Sequence, residues 1–222
     1  GMGLPGVAAP GLLAQPGSSR GRSLKDLYKP GQKGKVGTKH ILPQLTEEEL
    51  AEPKALIEAA EQRDEPRCRA LVASTDFKHI NEKGPDGRTA LHVCMLKKLS
   101  EDLCLSILKH PDFTQVNAVD TFGNTLLIFA ASKGMSALCM AVLAREDFTC
   151  INAQDKWGST ALHWAADQDL DAVCEAMLSH PEFVEANRRA WSFAFEDKTA
   201  LDVAEGRKCR ASAQVIRRHT KG

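Results

Sequence analysis

The stretch that decides the fold runs DKWGSTALHWAADQDLDAVCEAMLSHPEFVEAN, residues 155–187, and it has near-copies. The preceding stretch, DTFGNTLLIFAASKGMSALCMAVLAREDFTCIN at 120–152, reads in the same register. Aligning the chain on Asn81, Asn117, Asn152 and Asn187 gives spacings of 36, 35 and 35, and Phe77, Phe113, Phe148 and Phe183 keep the same offsets. Self-similarity at this period marks a chain made of one small unit stacked on copies of itself. Three copies open alike: DGRTALHVC from Asp86, FGNTLLIFAA from Phe122 and WGSTALHWAA from Trp157. In each, a Gly stands two residues before a Thr, which predicts a tight turn needing φ > 0 and then a helix cap.

After each cap come two short apolar-periodic segments, such as Thr125 to Lys133 and Met135 to Ala144. They predict paired antiparallel helices. In the second helix Leu138, Ala141 and Val142 fall at i, i+3 and i+4, and Leu103, Ser106, Ile107 and Val173, Ala176, Met177 repeat that face. One unit cannot bury such a face alone, so the copies must lean on one another.

TALH at Thr89–His92 and Thr160–His163, with the Gly, the helix pair and the closing Asn, resembles the ankyrin repeat over about residues 53–218. The resemblance implies an all-α solenoid of stacked helix pairs with β-hairpin fingers, three central repeats between two capping units. It also implies hydrogen-bonding roles in the turn for Thr89, His92, Thr160 and His163. The second copy departs from the pattern, with Leu126 and Ile128 in place of Ala and His, so a weaker turn network is expected there. The first unit lacks the Thr-Ala-Leu-His opening, and the last carries Asp202 where His stands and ends in basic residues, as capping units do. The units divide at about 46–82, 83–118, 119–153, 154–188 and 189–222. Order is expected to begin at Thr46-Glu47-Glu48-Glu49, a capping-box pattern.

Residues 1–45 read differently. They hold nine of the sixteen Gly and five of the ten Pro without helical or alternating period, which predicts an irregular N-terminal arm. The arm carries seven Lys or Arg against Asp26 alone, so it suits an acidic surface, while residues 46–222 carry 22 basic and 28 acidic side chains. An acidic body argues against specific nucleic-acid binding, because phosphate contact needs a basic surface. No apolar run is long enough to span a membrane, and no secretory signal is recognisable.

Seven Cys with no C-x-x-C predict neither disulfides nor a metal site; Cys68, Cys104, Cys139 and Cys174 recur nine residues before each Phe and read as a ladder of small buried residues. Cys150 and Cys209 are expected to be exposed thiols. His110 and His180 end the second helices, where a cation suits the dipole. Such cysteine usage points to an intracellular, reducing compartment, the cytoplasm first and an organelle matrix second. No phosphate-cradling or nucleophile motif occurs, so neither an enzyme nor a cofactor is expected.

The remaining reading is a surface that binds another protein. Stacked repeats implied by the resemblance bind through hairpin tips and first helices, placing Phe122 and Trp157 at tips and Lys133, Asp167 and Gln168 along the helices. Between Asn187 and Thr199 the chain spends twelve residues where other units spend eight. The surplus carries Trp191, Phe193 and Phe195 in alternation, which predicts a longer finger with three aromatics on one face, serving either to shield the third repeat or to enter a partner. Two roles fit: an adaptor, or a permanent accessory subunit of a large assembly anchored by the arm.

Overall fold

The computed structural model describes residues 42–192 and 194–220. Thr46 opens the first helix, α1 (Glu47–Ala51): its hydroxyl accepts from the Glu49 amide and the Glu49 carboxylate accepts from the Thr46 amide, a reciprocal cap. Five helix pairs follow: α2 (Ala55–Glu61) with α3 (Glu65–Ala73), α4 (Ala90–Leu96) with α5 (Glu101–Leu108), α6 (Leu126–Ser132) with α7 (Ser136–Leu143), α8 (Ala161–Asp167) with α9 (Asp171–Leu178), and α10 (Ala200–Arg207) with α11 (Arg210–Thr220). The first helices of successive pairs pack in one layer and the second helices in another. Helices of seven or eight residues would be marginal in isolation, so the two-layer stack is what holds them. Among the described residues, no helix is long and apolar enough to cross a membrane.

Each pair bends at a residue with left-handed backbone: Arg63, Lys98, Gly134, Asp169 and Lys208, with φ between 53° and 70°. Only one of the five is glycine, and each of the others carries a steric cost of about 1–2 kcal/mol that packing on both sides must offset.

The aligned asparagines are clips between units. Nδ2 of Asn81, Asn117 and Asn152 donates to the carbonyls of Asp112, Asp147 and Glu182, at 2.6 Å in every case. Their Oδ1 atoms accept from the amides of Thr114, Thr149 and Val184. An amide side chain supplies donor and acceptor together, so one residue satisfies both backbone groups of the next unit's loop.

Burial corrects the predicted face of the second helices. Leu103, Leu138 and Val173 are buried together with Ile107, Val142 and Met177, but the position between them is exposed at Ser106 and only half-buried at Ala141 and Ala176. The buried cysteines Cys104, Cys139 and Cys174 take that place, because the helix meets its neighbours along i, i+1 and i+4. Cys68 completes the ladder. Burial pushes the thiols of Cys104, Cys139 and Cys174 up to about 12, so they stay protonated and unreactive. Cys150 and Cys209 are not the exposed thiols expected: both are half-buried, with Sγ directed at the carbonyls of Asn117 and Asp167. At the ends of the second helices, Nδ1 of His110 and of His180 accepts from the amides of Asp112 and Glu182, so each ring caps the following turn.

The long finger is the largest departure. Its strands, β1 (Arg189–Ala190) and β2 (Lys198–Thr199), are two residues each, and the chain between them folds into a turn in which Ser192 O accepts from the amides of Phe195 and Glu196. Alternation therefore stops at Ala190. Trp191 is 73% exposed while Phe195 is 1% exposed, so these aromatics do not share a face, and Phe193 lies outside the described residues.

Candidate functional site

The fingers are hairpin tips closed by single bridges, Lys83 with Thr89, Val119 with Thr125 and Gln154 with Thr160. At each apex a glycine takes φ between 76° and 83°. A Cβ at Gly123 would lie 2.9 Å from Gln154 O in the next finger, so any side chain there would force adjacent fingers apart. Inside the second and third fingers a buried carboxylate gathers the turn. Asp120 Oδ1 accepts from the amides of Phe122 and Asn124, and Asp155 Oδ1 from those of Trp157 and Ser159, all at 2.8–2.9 Å. Burial alone would raise the Asp120 carboxyl, but hydrogen bonds from Asn124, Phe122 and Arg88 outweigh it and hold it below its ordinary value.

The second copy lacks the histidine but keeps the carboxylate-braced turn, which the third copy has alongside His163. Thr125 still caps α6 through the Ile128 amide, and Asp120 and Asn124 brace the turn. In the first and third copies the implied box is present: His92 Nδ1 and His163 Nδ1 each accept from the amide of the threonine three residues earlier.

Successive fingers are tied by backbone bonds. Asp86 O accepts from Thr121 N at 2.9 Å, Phe122 O from Lys156 N at 2.8 Å, and Trp157 O from Trp191 N at 2.9 Å. This ladder aligns the apex side chains. Phe122 and Trp157 stack nearly parallel, 9° apart with centroids at 6.3 Å, and Lys156 Nζ sits 4.1 Å and 4.4 Å from the two ring centres. Arg88 lies 5.7 Å from the Phe122 centroid and reaches across to Asp120 at 3.0 Å. The rings remain 37% and 45% exposed. Trp191, whose amide forms the rung to Trp157 O, is exposed beyond them.

Other residues expected at the site are distributed along it. Lys133 and Gln168 are exposed at the ends of α6 and α8, with Gln168 beside Gly134. Asp167 is occupied within the chain: its side chain is 9% exposed, 2.7 Å from Arg207 Nε though out of line for a hydrogen bond, and accepts from Gln168 Nε2. Phe195 lies behind the tips, edge-on to Trp164 at 4.7 Å. Lys156 was expected at a finger tip beside Trp157, but its seat over both rings was not, and neither was Arg88 against the Phe122 ring. Nor was a recess of about 280 Å³ beneath the first finger, lined by Ile57, Glu61, Pro85, Arg88, Leu96 and Lys97. The signal at Leu96 was legible, a large apolar residue in an outward position, and it is 38% exposed.

Chemically, the surface offers fixed aromatic faces, cations and an apolar recess, which are means of contact. Among the described residues, no three His, Cys, Asp or Glu side chains converge as a metal site would require.

Residues 97–190 match the family model of ankyrin repeats (3 copies). No curated protein matches the chain at a significant level.

Proposed function

From the premise that this chain is an ankyrin repeat protein, we propose that it is a non-catalytic adaptor that holds a segment of a partner protein against its finger tips and first helices. The observation that supports this reading is the Phe122–Lys156–Trp157 stack, a rigid, partly exposed aromatic row kept in register by bonds between fingers. Aromatic anchors pre-positioned in this way lose little entropy on contact, and each contributes about 2 kcal/mol or more at the centre of an interface. The recess under the first finger would receive an apolar side chain of the same partner.

The test is affinity capture from cell extract with the intact chain and with the Phe122→Ala, Trp157→Ala double variant, each followed by mass spectrometry and by a melting curve. An adaptor loses its specific partners in the double variant while its melting temperature moves by only a few degrees. Deleting residues 1–45 separates the second role: an adaptor keeps its partners, whereas an accessory subunit anchored by the arm loses them. Partners retained by the double variant and lost on deletion would overturn the adaptor reading.

A further inference from the structure

The C-terminal end of the stack carries its own surface. The outer side of α10 and α11, where a further repeat would pack, holds a groove of about 460 Å³. Ala204, Ala213 and the half-buried Cys209 form its apolar part, and Lys208, Arg210 and Arg217 line it together with a single acid, Glu205. At the opposite end of the stack α1 lies over the first pair, with Leu45 and Leu50 packed against the core. Among the described residues, no element of the chain covers the C-terminal groove in that way.

Charge separates this end from the rest. From residue 205 onward the chain carries Arg207, Lys208, Arg210, Arg217, Arg218 and Lys221 against Glu205 alone, while residues 46–204 carry 16 basic and 27 acidic side chains. Several of these cations are spent within the chain. Arg207 meets Asp167, Arg217 meets Glu205, and Arg218 meets Glu175 together with His219. Lys208 and Arg210 have no carboxylate within salt-bridge distance among the described residues, and both border the groove. Lys208 is held there by its left-handed backbone at φ 65°, which closes α10.

We propose that this end of the stack is a second docking surface, separate from the finger tips, and that its occupant is an acidic helical segment of a partner protein. Apolar residues of that segment fill the groove between Ala204 and Ala213, and its carboxylates pair with Lys208 and Arg210. The charge complementarity is specific to this end, since an acidic segment is repelled by the net charge of the remaining stack.

The experiment uses the full chain and two synthetic helical peptides of Ala, Leu and Glu, or of Ala, Leu and Lys in the same order, titrated calorimetrically at low and physiological salt. The Glu peptide is expected to bind and the Lys peptide not to, with affinity falling as salt rises. The Lys208→Glu, Arg210→Glu double variant should weaken Glu-peptide binding by about tenfold or more, since each reversal replaces an attraction with a repulsion. Lys208→Gly, which keeps the left-handed turn, with Arg210→Gln is the companion variant should the reversal fail to fold; it should bind several-fold more weakly. Phe122→Ala with Trp157→Ala should leave peptide affinity unchanged, so the finger-tip reading stands or falls separately. Equal binding of both peptides, or unchanged affinity in both groove variants, overturns the proposal. So does groove-dependent self-association of the chain, which would make a second copy the occupant, or groove-dependent binding to phosphatidylserine vesicles without peptide binding, which would make it a membrane.

Discussion

Thr89-Ala-Leu-His92 and Thr160-Ala-Leu-His163 are the same four residues in the same turn, and in both the histidine Nδ1 accepts from the threonine amide, leaving the proton on Nε2. They part at that second nitrogen. His163 Nε2 lies 3.1 Å from both Arg188 O and Lys198 O, while His92 Nε2 is buried without a partner and the ring packs edge-on to Phe129 at 5.3 Å. The finger that His163 faces is the one with four extra residues. The inner half of the box is therefore local, written in four residues, and its outer half depends on what the next unit presents.

Four measurements press on this difference. The largest effect is expected for His163→Leu, which strands the Thr160 amide and two carbonyls of the last finger; a loss of about 3–4 kcal/mol should appear in urea denaturation. Next comes acid. Burial, opposed by Asp120, lowers His92 to about 4, and burial also lowers His163. Below about pH 6.5 the unfolded chain takes up a proton that the folded chain refuses, so stability is full above that pH, falls toward pH 4 and then levels off for this group. The loss from His92 should reach about 3 kcal/mol, at about 1.36 kcal/mol per pH unit. Denaturation series at about pH 7, 5.5 and 4 measure it, and the slope should shrink in His92→Leu. Near neutral pH that substitution should cost only about 1–2 kcal/mol, because it removes an unpartnered buried N–H along with the Thr89 bond. If His92→Leu proved as costly as His163→Leu, the neighbour's contribution would be refuted. The smallest effect is expected for Ile128→His, which exchanges a buried side chain for a box in the middle copy. A net change within about 1 kcal/mol is expected, since Asp120 and Asn124 already brace that turn.

The same division explains what could be read from the letters. Period, glycine apices, threonine caps and the buried cysteines were legible because each follows from a local steric or hydrogen-bonding demand repeated at one spacing. Asn81, Asn117 and Asn152 were visible as markers, but their partners lie 30–33 residues away and no local rule names them. The final finger misled because alternation of Trp191 and Phe195 resembles a strand, whereas the backbone bonds to Ser192 O end it early. At the candidate site, Phe122 and Trp157 were recognisable as exposed aromatics. Asp167 could not be seen to face Arg207, since that pairing joins distant parts of the chain and depends on how the last unit docks.

The asparagine clips have a mechanical consequence. Each ties a unit only to the one after it, and among the described residues the last of the aligned asparagines, Asn187, makes no such clip to the final unit formed by α10 and α11. Tension applied between the two ends would thus pass through every clip in series. The chain would peel open from its termini in instalments, each small enough to be undone by thermal motion, like a ratchet that yields one tooth at a time.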